Sequence, residues 1–127
     1  MKQRFFICHH CGNIVAFVRN SGVPVVCCGE DMHELIPCTA DASVEKHVPV
    51  FTVADGTVSV EVGSVLHPMS AEHHIEWISL QTKYGNQRKE LCPAGEPGAT
   101  FAVTQGDSVE AVYAYCNLHG LWEAKGL

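Results

Sequence analysis

The sequence predicts an all-β protein in two parts, a small amino-terminal unit stapled by a metal and then a β-sandwich. Three observations predict this. Four cysteines crowd into the start of the chain as Cys8-x-x-Cys11 and Cys27-Cys28. From Val44 onward, short apolar runs alternate with turns rich in Gly, Pro, Asn and Asp. No stretch has a persuasive helical period. Several short strands with turns between them suit a sandwich, in which each strand buries one face.

The first unit is taken as residues 1–37. Cys8-His9-His10-Cys11-Gly12-Asn13 is a Cys-x-x-Cys knuckle followed by turn residues. Gly12 lets the backbone fold back, so that amides can point at the sulfurs. Ile14 to Val18 reads as a strand, Asn20-Ser21-Gly22 as a turn, and Val23 to Val26 as a second strand. This hairpin would carry Cys27 and Cys28 back to the knuckle, where four thiolates make a tetrahedral site. The pattern says metal without choosing between iron and the zinc of a structural ribbon. Ribbons usually space the second pair as Cys-x-x-Cys, whereas vicinal cysteines must bend sharply to offer both sulfurs. Four sulfurs complete the shell, so His9 and His10 are not expected to be ligands. His33 reads as a surface residue.

The second unit is taken as residues 38–127, entered through a linker at Pro37–Ser43 in which Cys38 reads as a buried or idle thiol. Val48 to Val53 is strand-like, and Ala54-Asp55-Gly56 carries the Asp-Gly hairpin signal. Thr57 to Val62 alternates at period two until Gly63 breaks it. His73 to Leu80 reads as another strand. Gly85 to Ala99, punctuated by Gly and Pro, reads as a long loop, with Cys92 in it as a non-ligand. Ser108 to Tyr115 is the last clear strand.

With 127 residues and 46% hydrophobic content, a useful core is available. A short first unit would still need a staple. Eight Lys and Arg against fourteen Asp and Glu leave a formal charge of -6. That argues against nucleic-acid binding, which wants a basic face. An anionic substrate would be repelled unless a local positive patch overrides the global field. No apolar run approaches the roughly 18 residues of a membrane span. Phe5-Phe6-Ile7 is cut short by Cys8, so it is no signal peptide. A cytoplasmic protein is therefore expected, where thiols stay reduced. Seven cysteines there read as ligands rather than disulfides.

A second metal signal closes the chain. Cys116-Asn117-Leu118-His119 puts a thiolate and an imidazole within reach of one ion. His47, His67, His73 and His74 lie upstream, which favours a shared site over scattered structural histidines. Successive side chains of a strand point to opposite faces, so only one of His73 and His74 can face a given metal. Geometry alone does not choose. Pro68 biases His67 towards extended backbone. Glu45, Lys46 and His47 can serve one site together only if they form an irregular loop at its rim. Otherwise the triplet is an ordinary charged turn.

At this point the chain resembles the desulfoferrodoxins, the two-iron superoxide reductase family. The resemblance covers almost the whole sequence. It rests on Cys8-x-x-Cys11 with Cys27-Cys28, Glu45-Lys46-His47-Val48-Pro49, His67-Pro68-Met69, His73-x-Ile75-x-Trp77-Ile78 and Cys116-Asn117-Leu118-His119-Gly120-x-Trp122. It implies a rubredoxin/desulforedoxin-like unit followed by an immunoglobulin-like β-sandwich. It also implies two iron ions per chain. The first is held by Cys8, Cys11, Cys27 and Cys28. The second has His47, His67, His73 and His119 around it and Cys116 as axial ligand. The resemblance, not strand parity, selects His73 over His74. Cys38, Cys92 and the His9-His10 filling of the knuckle stand outside the pattern.

The implied reaction is one-electron reduction of superoxide to hydrogen peroxide without making dioxygen. The resemblance also implies a rubredoxin-like electron donor and a homodimer. Four neutral imidazoles and one thiolate leave a ferrous site with one net positive charge. Lys46 is the expected steering cation, and Glu45 the carboxylate that caps the iron after turnover. One charge about 6 Å from the anion is worth roughly 3 kcal/mol at an effective dielectric near 20. A cupredoxin-like carrier would want an axial Met soon after the last histidine, where Gly120-Leu121-Trp122 stands. A zinc-ribbon adaptor would be colourless. A 2-His-1-carboxylate oxygenase fits poorly with a thiolate among the ligands.

Overall fold

The computed structural model describes residues 2–38 and 47–126. The linker residues 39–43, together with Glu45 and Lys46, lie outside the described residues. Among the described residues the chain forms twelve strands in two units, Met1–Ile36 and Pro37–Leu127. Among the described residues no helix is long and apolar enough to cross a membrane.

The first unit is built on β1 (Phe5–Ile7), β2 (Ile14–Ala16) and β5 (His33–Leu35), in the order β2-β1-β5. A second ladder joins β3 (Val26–Cys27) to β4 (Glu30–Asp31), with Cys27 opposite Glu30. The expected hairpin between Ile14–Val18 and Val23–Val26 does not form. β2 pairs instead with β1, Ile7 lying opposite Ile14. The reason is the knuckle itself, which is the hairpin turn. Gly12 N donates to Cys8 O at 2.8 Å and Cys8 N to Asn13 O at 2.9 Å. Gly12 has φ +85°, where a side chain would be strained. Phe5-Phe6-Ile7 is too short to show a period, so β1 left no trace in the pattern.

The second unit is a sandwich of two antiparallel sheets, as expected. One sheet contains β6 (Pro49–Ala54), β7 (Thr57–Val62) and β10 (Gly98–Ala102), in the order β10-β7-β6. The other contains β8 (Ile75–Thr82), β9 (Gly85–Glu90), β11 (Val109–Cys116) and β12 (Gly120–Lys125), in the order β12-β11-β8-β9. Asp55 and Gly56, with φ 51° and 75°, make the β6–β7 turn that the Asp-Gly pair signalled. Alternate residues of β7, Val58, Val60 and Val62, face inward. They meet Phe101 from β10 and Ile78, Leu80, Val112 and Ala114 from the opposite sheet.

The long loop expected at Gly85–Ala99 is corrected. β9 occupies its first part, and β10 begins at Gly98. Every residue of β9 is exposed and the strand contains no apolar side chain, so no alternation betrays it. Arg88, Lys89 and Glu90 charge this sheet edge, which guards it against pairing with other chains. β12 was also unforeseen. It follows directly on the Cys116–His119 motif, and its successive buried Leu121, Trp122 and Glu123 break period two.

Leu80→Ala should destabilise this unit by about 2–5 kcal/mol, because Leu80 is fully buried between the sheets. Arg88→Ala on the exposed edge should change stability by no more than about 0.5 kcal/mol. Denaturant unfolding followed through the fluorescence of Trp77 and Trp122 checks both.

Candidate metal centres

In the first unit the Cys8–Cys11 turn faces the tip of the β3–β4 ladder. The four sulfurs of Cys8, Cys11, Cys27 and Cys28 lie within 4.8 Å of one another. Cys11 Sγ is 3.6 Å from Cys27 Sγ. The vicinal pair achieves this through a bent backbone. Cys28 has φ 53°, a left-handed conformation rare for a residue with a side chain, and Gly29 follows at 75°. Asn13 Nδ2 reaches Cys27 Sγ at 3.7 Å.

The thiols do not ionise alike. The Cys11 backbone amide, above all, pulls the Cys8 thiol down to about 6. The thiols of Cys8, Cys11 and Cys27 push Cys28 up to about 12. One thiolate forms readily, and crowding then opposes the last. A cation between the sulfurs removes that opposition, so this donor set fits a tetrahedral thiolate-bound metal.

The second centre assembles from three places in the sandwich. Cys116 ends β11 and His119 stands just before β12. His67 and His73 come from the β7–β8 connection, and His47 from just before β6. A register shift in the β11–β8 ladder falls between Tyr115 and Cys116, so that Cys116 pairs with Ile75. Bulges of this kind re-aim side chains next to sites. One donor atom from each of His47, His67, His73 and Cys116 falls within a 4.8 Å group. His119 joins them, with Nδ1 3.1 Å from His47 Nε2 and 3.7 Å from Cys116 Sγ.

The four imidazoles form a ring. Centroids of His47 and His67 are 4.8 Å apart, His67 and His73 4.6 Å, His73 and His119 5.0 Å, and His119 and His47 4.8 Å. The His47–His73 diagonal is 6.4 Å. That is close to a square. Cys116 is fully buried, whereas His119 is exposed and His73 half-buried, so solvent reaches the ring from that edge.

The protonation states suit metal binding. His67 Nδ1 donates to Pro68 O at 2.7 Å, because a carbonyl can only accept. Its Nε2 is therefore a lone pair, buried without a hydrogen-bond partner. Burial holds this imidazole down to about 4, against an ordinary 6.5. Burial also pushes the Cys116 thiol up, while the amides of Leu118 and His119 pull it the other way. Two nitrogens at right angles, each about 2.1 Å from one ion, would stand about 3 Å apart, and the His47–His119 separation matches. The residues fit a metal.

His73 precedes β8 rather than lying in it, so strand parity never applied to the His73–His74 choice. His74 turns away and donates from Nδ1 to Ser70 O at 2.9 Å. Cys38 and Cys92 are exposed and belong to neither cluster. Two positioning residues were given no role from the sequence. Asn117 accepts from His74 N at 2.9 Å through Oδ1, and donates to Glu72 O at 3.0 Å and, from its backbone, to His74 O at 3.2 Å. Trp122 stacks on His47 with centroids 4.5 Å apart, and its Nε1 donates to His119 O. Their place inside the Cys116–Trp122 motif was the available signal.

The sequence profile of the desulfoferrodoxin family matches residues 39–125, and that of the desulfoferrodoxin amino-terminal domain matches residues 2–35. A desulfoferrodoxin homolog of Archaeoglobus fulgidus is 46% identical over 96% of each chain. The desulfoferrodoxin of Nitratidesulfovibrio vulgaris is 45% identical, covering 98% of this chain and 97% of its own. The superoxide reductase from Treponema pallidum superposes with a TM-score of 0.83 at 38% identity, over 98% of both chains. The one-iron superoxide reductase from Giardia intestinalis matches 65% of this chain and 99% of its own, with TM-score 0.55 and 35% identity. The chain belongs to the desulfoferrodoxin family.

Metal-free protein should lose stability as pH falls. The unfolded chain protonates His67 near 6.5, and the folded one only near 4. The contribution is therefore full above about 6.5 and drains away between there and about 4. Urea unfolding of the second unit across that range should show a shallower pH slope in His67→Gln.

Proposed function

We propose that this chain is a superoxide reductase that works at the His-Cys centre. The observation that carries this reading is the near-square ring of four imidazoles with the buried Cys116 thiol beside it. Ferrous iron, the family's metal, would be held by His47, His67, His73, His119 and Cys116, and would supply one electron and an open coordination position. A second iron would be held by Cys8, Cys11, Cys27 and Cys28. Overall, superoxide takes up one electron and two protons and leaves as hydrogen peroxide.

The residues of the chain set the conditions for that step. Burial keeps His67 neutral, so this imidazole adds no positive charge that would hinder cation binding. Four neutral imidazoles and one thiolate leave the ferrous centre at one net positive charge, which attracts an anion despite the overall -6. The amides of Leu118 and His119 donate towards Cys116 and moderate the charge on its sulfur. The open edge at His73 and His119 admits superoxide, and solvent there supplies protons. Lys46 steers the anion, and Glu45 closes the site after turnover.

Residues 1–37 form the four-sulfur unit and residues 38–127 the reacting one. A four-sulfur site has no open position, so only the second centre can bind superoxide. The one-iron relative, covered almost entirely by two thirds of this chain, supports that division. A rubredoxin-like donor returns the electron. The chain acts in the cytoplasm as a homodimer, a reading supported by the exposed Val18, Val23 and Ile36 of the small first unit.

Three experiments test this. Metal analysis and an optical spectrum of protein from its native source should give two irons per chain and thiolate bands from both centres. Cys116→Ser should erase the band of the second centre and the reaction of prereduced protein with superoxide in pulse radiolysis. Zinc alone in the native protein would overturn the reading. Lys46→Ala should slow the second-order reaction severalfold and flatten its salt dependence, leaving the spectrum unchanged.

A further inference from the structure

His73 stands in the β7–β8 connection, and Ser70, Ala71 and Glu72 before it are all exposed. Its ring is half-buried at the open edge of the imidazole square. Apolar burial does little to hold this stretch, and exposed segments with few buried contacts open most readily. Hydrogen bonds take its place. Ser70 N donates to His73 O at 2.9 Å. The Ser70 hydroxyl donates to the same oxygen and accepts from His73 N, both at 3.2 Å. On either side, Asn117 Nδ2 donates to Glu72 O at 3.0 Å, and Asn117 Oδ1 accepts from His74 N at 2.9 Å. Asn117 N donates to His74 O at 3.2 Å. Every backbone polar group from Glu72 O to His74 O is thus tied to Ser70 or Asn117. Asn117 follows Cys116 directly, so this clamp binds the His73 segment to the residue that carries the sulfur.

We propose that Asn117 and Ser70 are positioning residues that keep His73 on the ion of the second centre, and so restrict that centre to one open coordination position and to a small anion bound through one atom. The inference rests on the superoxide reductase reading and names what makes the site selective. Cys116, His47 and His67 are buried in the sandwich, and Trp122 holds the His119 carbonyl. His73 has no such burial, so its place depends on the backbone behind it. Partners behind a ligand commonly fix its orientation in this way. With His73 released, the ion would offer two positions, and a ligand that grips through two atoms could enter.

The test uses the full chain with both centres loaded and the second iron prereduced. Bathophenanthroline disulfonate grips ferrous iron through two nitrogens, so its rate of iron removal reads the release of His73. Asn117→Ala should speed that removal by at least about tenfold, the usual cost of losing a contact behind a ligand. Ser70→Ala keeps the Ser70 N contact and should speed it by a smaller factor. In a His73→Ala background, Asn117→Ala should add less than about twofold, because the ligand it acts through is gone. The ferric thiolate band of the second centre should shift in the same direction in Asn117→Ala and His73→Ala, which a general loosening of the fold would not produce. Urea unfolding followed through Trp77 and Trp122 shows that each variant is folded. Should Asn117→Ala not fold, Ser70→Ala, at an exposed position, carries the same comparison with and without His73. Unchanged removal in the folded variants, or equal acceleration with His73 absent, would overturn the clamp alone. A wild type without a thiolate band from the second centre would overturn the function reading and this inference with it.

Discussion

The Cys116 side chain belongs to two structures at once. It is packed into the sandwich core with Ile75, Ile78 and Ala114, and its sulfur lies among the histidine donors. Strand alternation places Val112, Ala114 and Cys116 on the same inward face. A slip of one residue in β11 would turn the thiol outward and expose that whole face. The register that fills the core is therefore the register that supplies the sulfur. The ladder to β8 shifts register between Val109 and Ala111 and again between Tyr115 and Cys116, the second at the end where the side chain must meet a ligand ring rather than another strand.

The first unit works under a different constraint. Phe5 and Cys8 are its buried hydrophobic residues, and its strands are two or three residues long. So little apolar burial cannot offset the chain entropy of ordering some thirty-five residues. The four sulfurs close the loops that the apolar contacts cannot, so metal binding and folding are coupled here. The left-handed Cys28 fits this account, since its backbone strain persists only because both vicinal sulfurs face the cluster.

What was legible in the sequence follows from the same physics. β7 was plain, since one of its faces is buried and the other wet. β9 was hidden because both of its faces are wet, and β12 because Leu121, Trp122 and Glu123 are all buried in succession. The cysteine pairs announced a metal, but the hairpin that joins them did not, because the knuckle is itself the turn. The histidines were visible as a group. Strand parity did not choose between His73 and His74; the family resemblance did, and its physical reason, the hydrogen bond from His74 to Ser70, is a contact that residue types do not encode.

The histidine ring is held by backbone contacts as much as by strands. Asn117 links the Cys116–His119 turn to the loop carrying His73 at three points, and Trp122 fixes His47 by stacking and His119 through its carbonyl. The frame therefore presents four nitrogens near the corners of a square, with a sulfur as fifth donor. Structural zinc sites are closed, tetrahedral and satisfied by four ligands. A fifth donor and a square arrangement would leave such an ion with ligands it does not need. A metal that uses five ligands and keeps one position open suits this frame better. Geometry thus argues against the zinc-adaptor alternative at the second centre, although the four sulfurs of the first centre would suit zinc and iron equally.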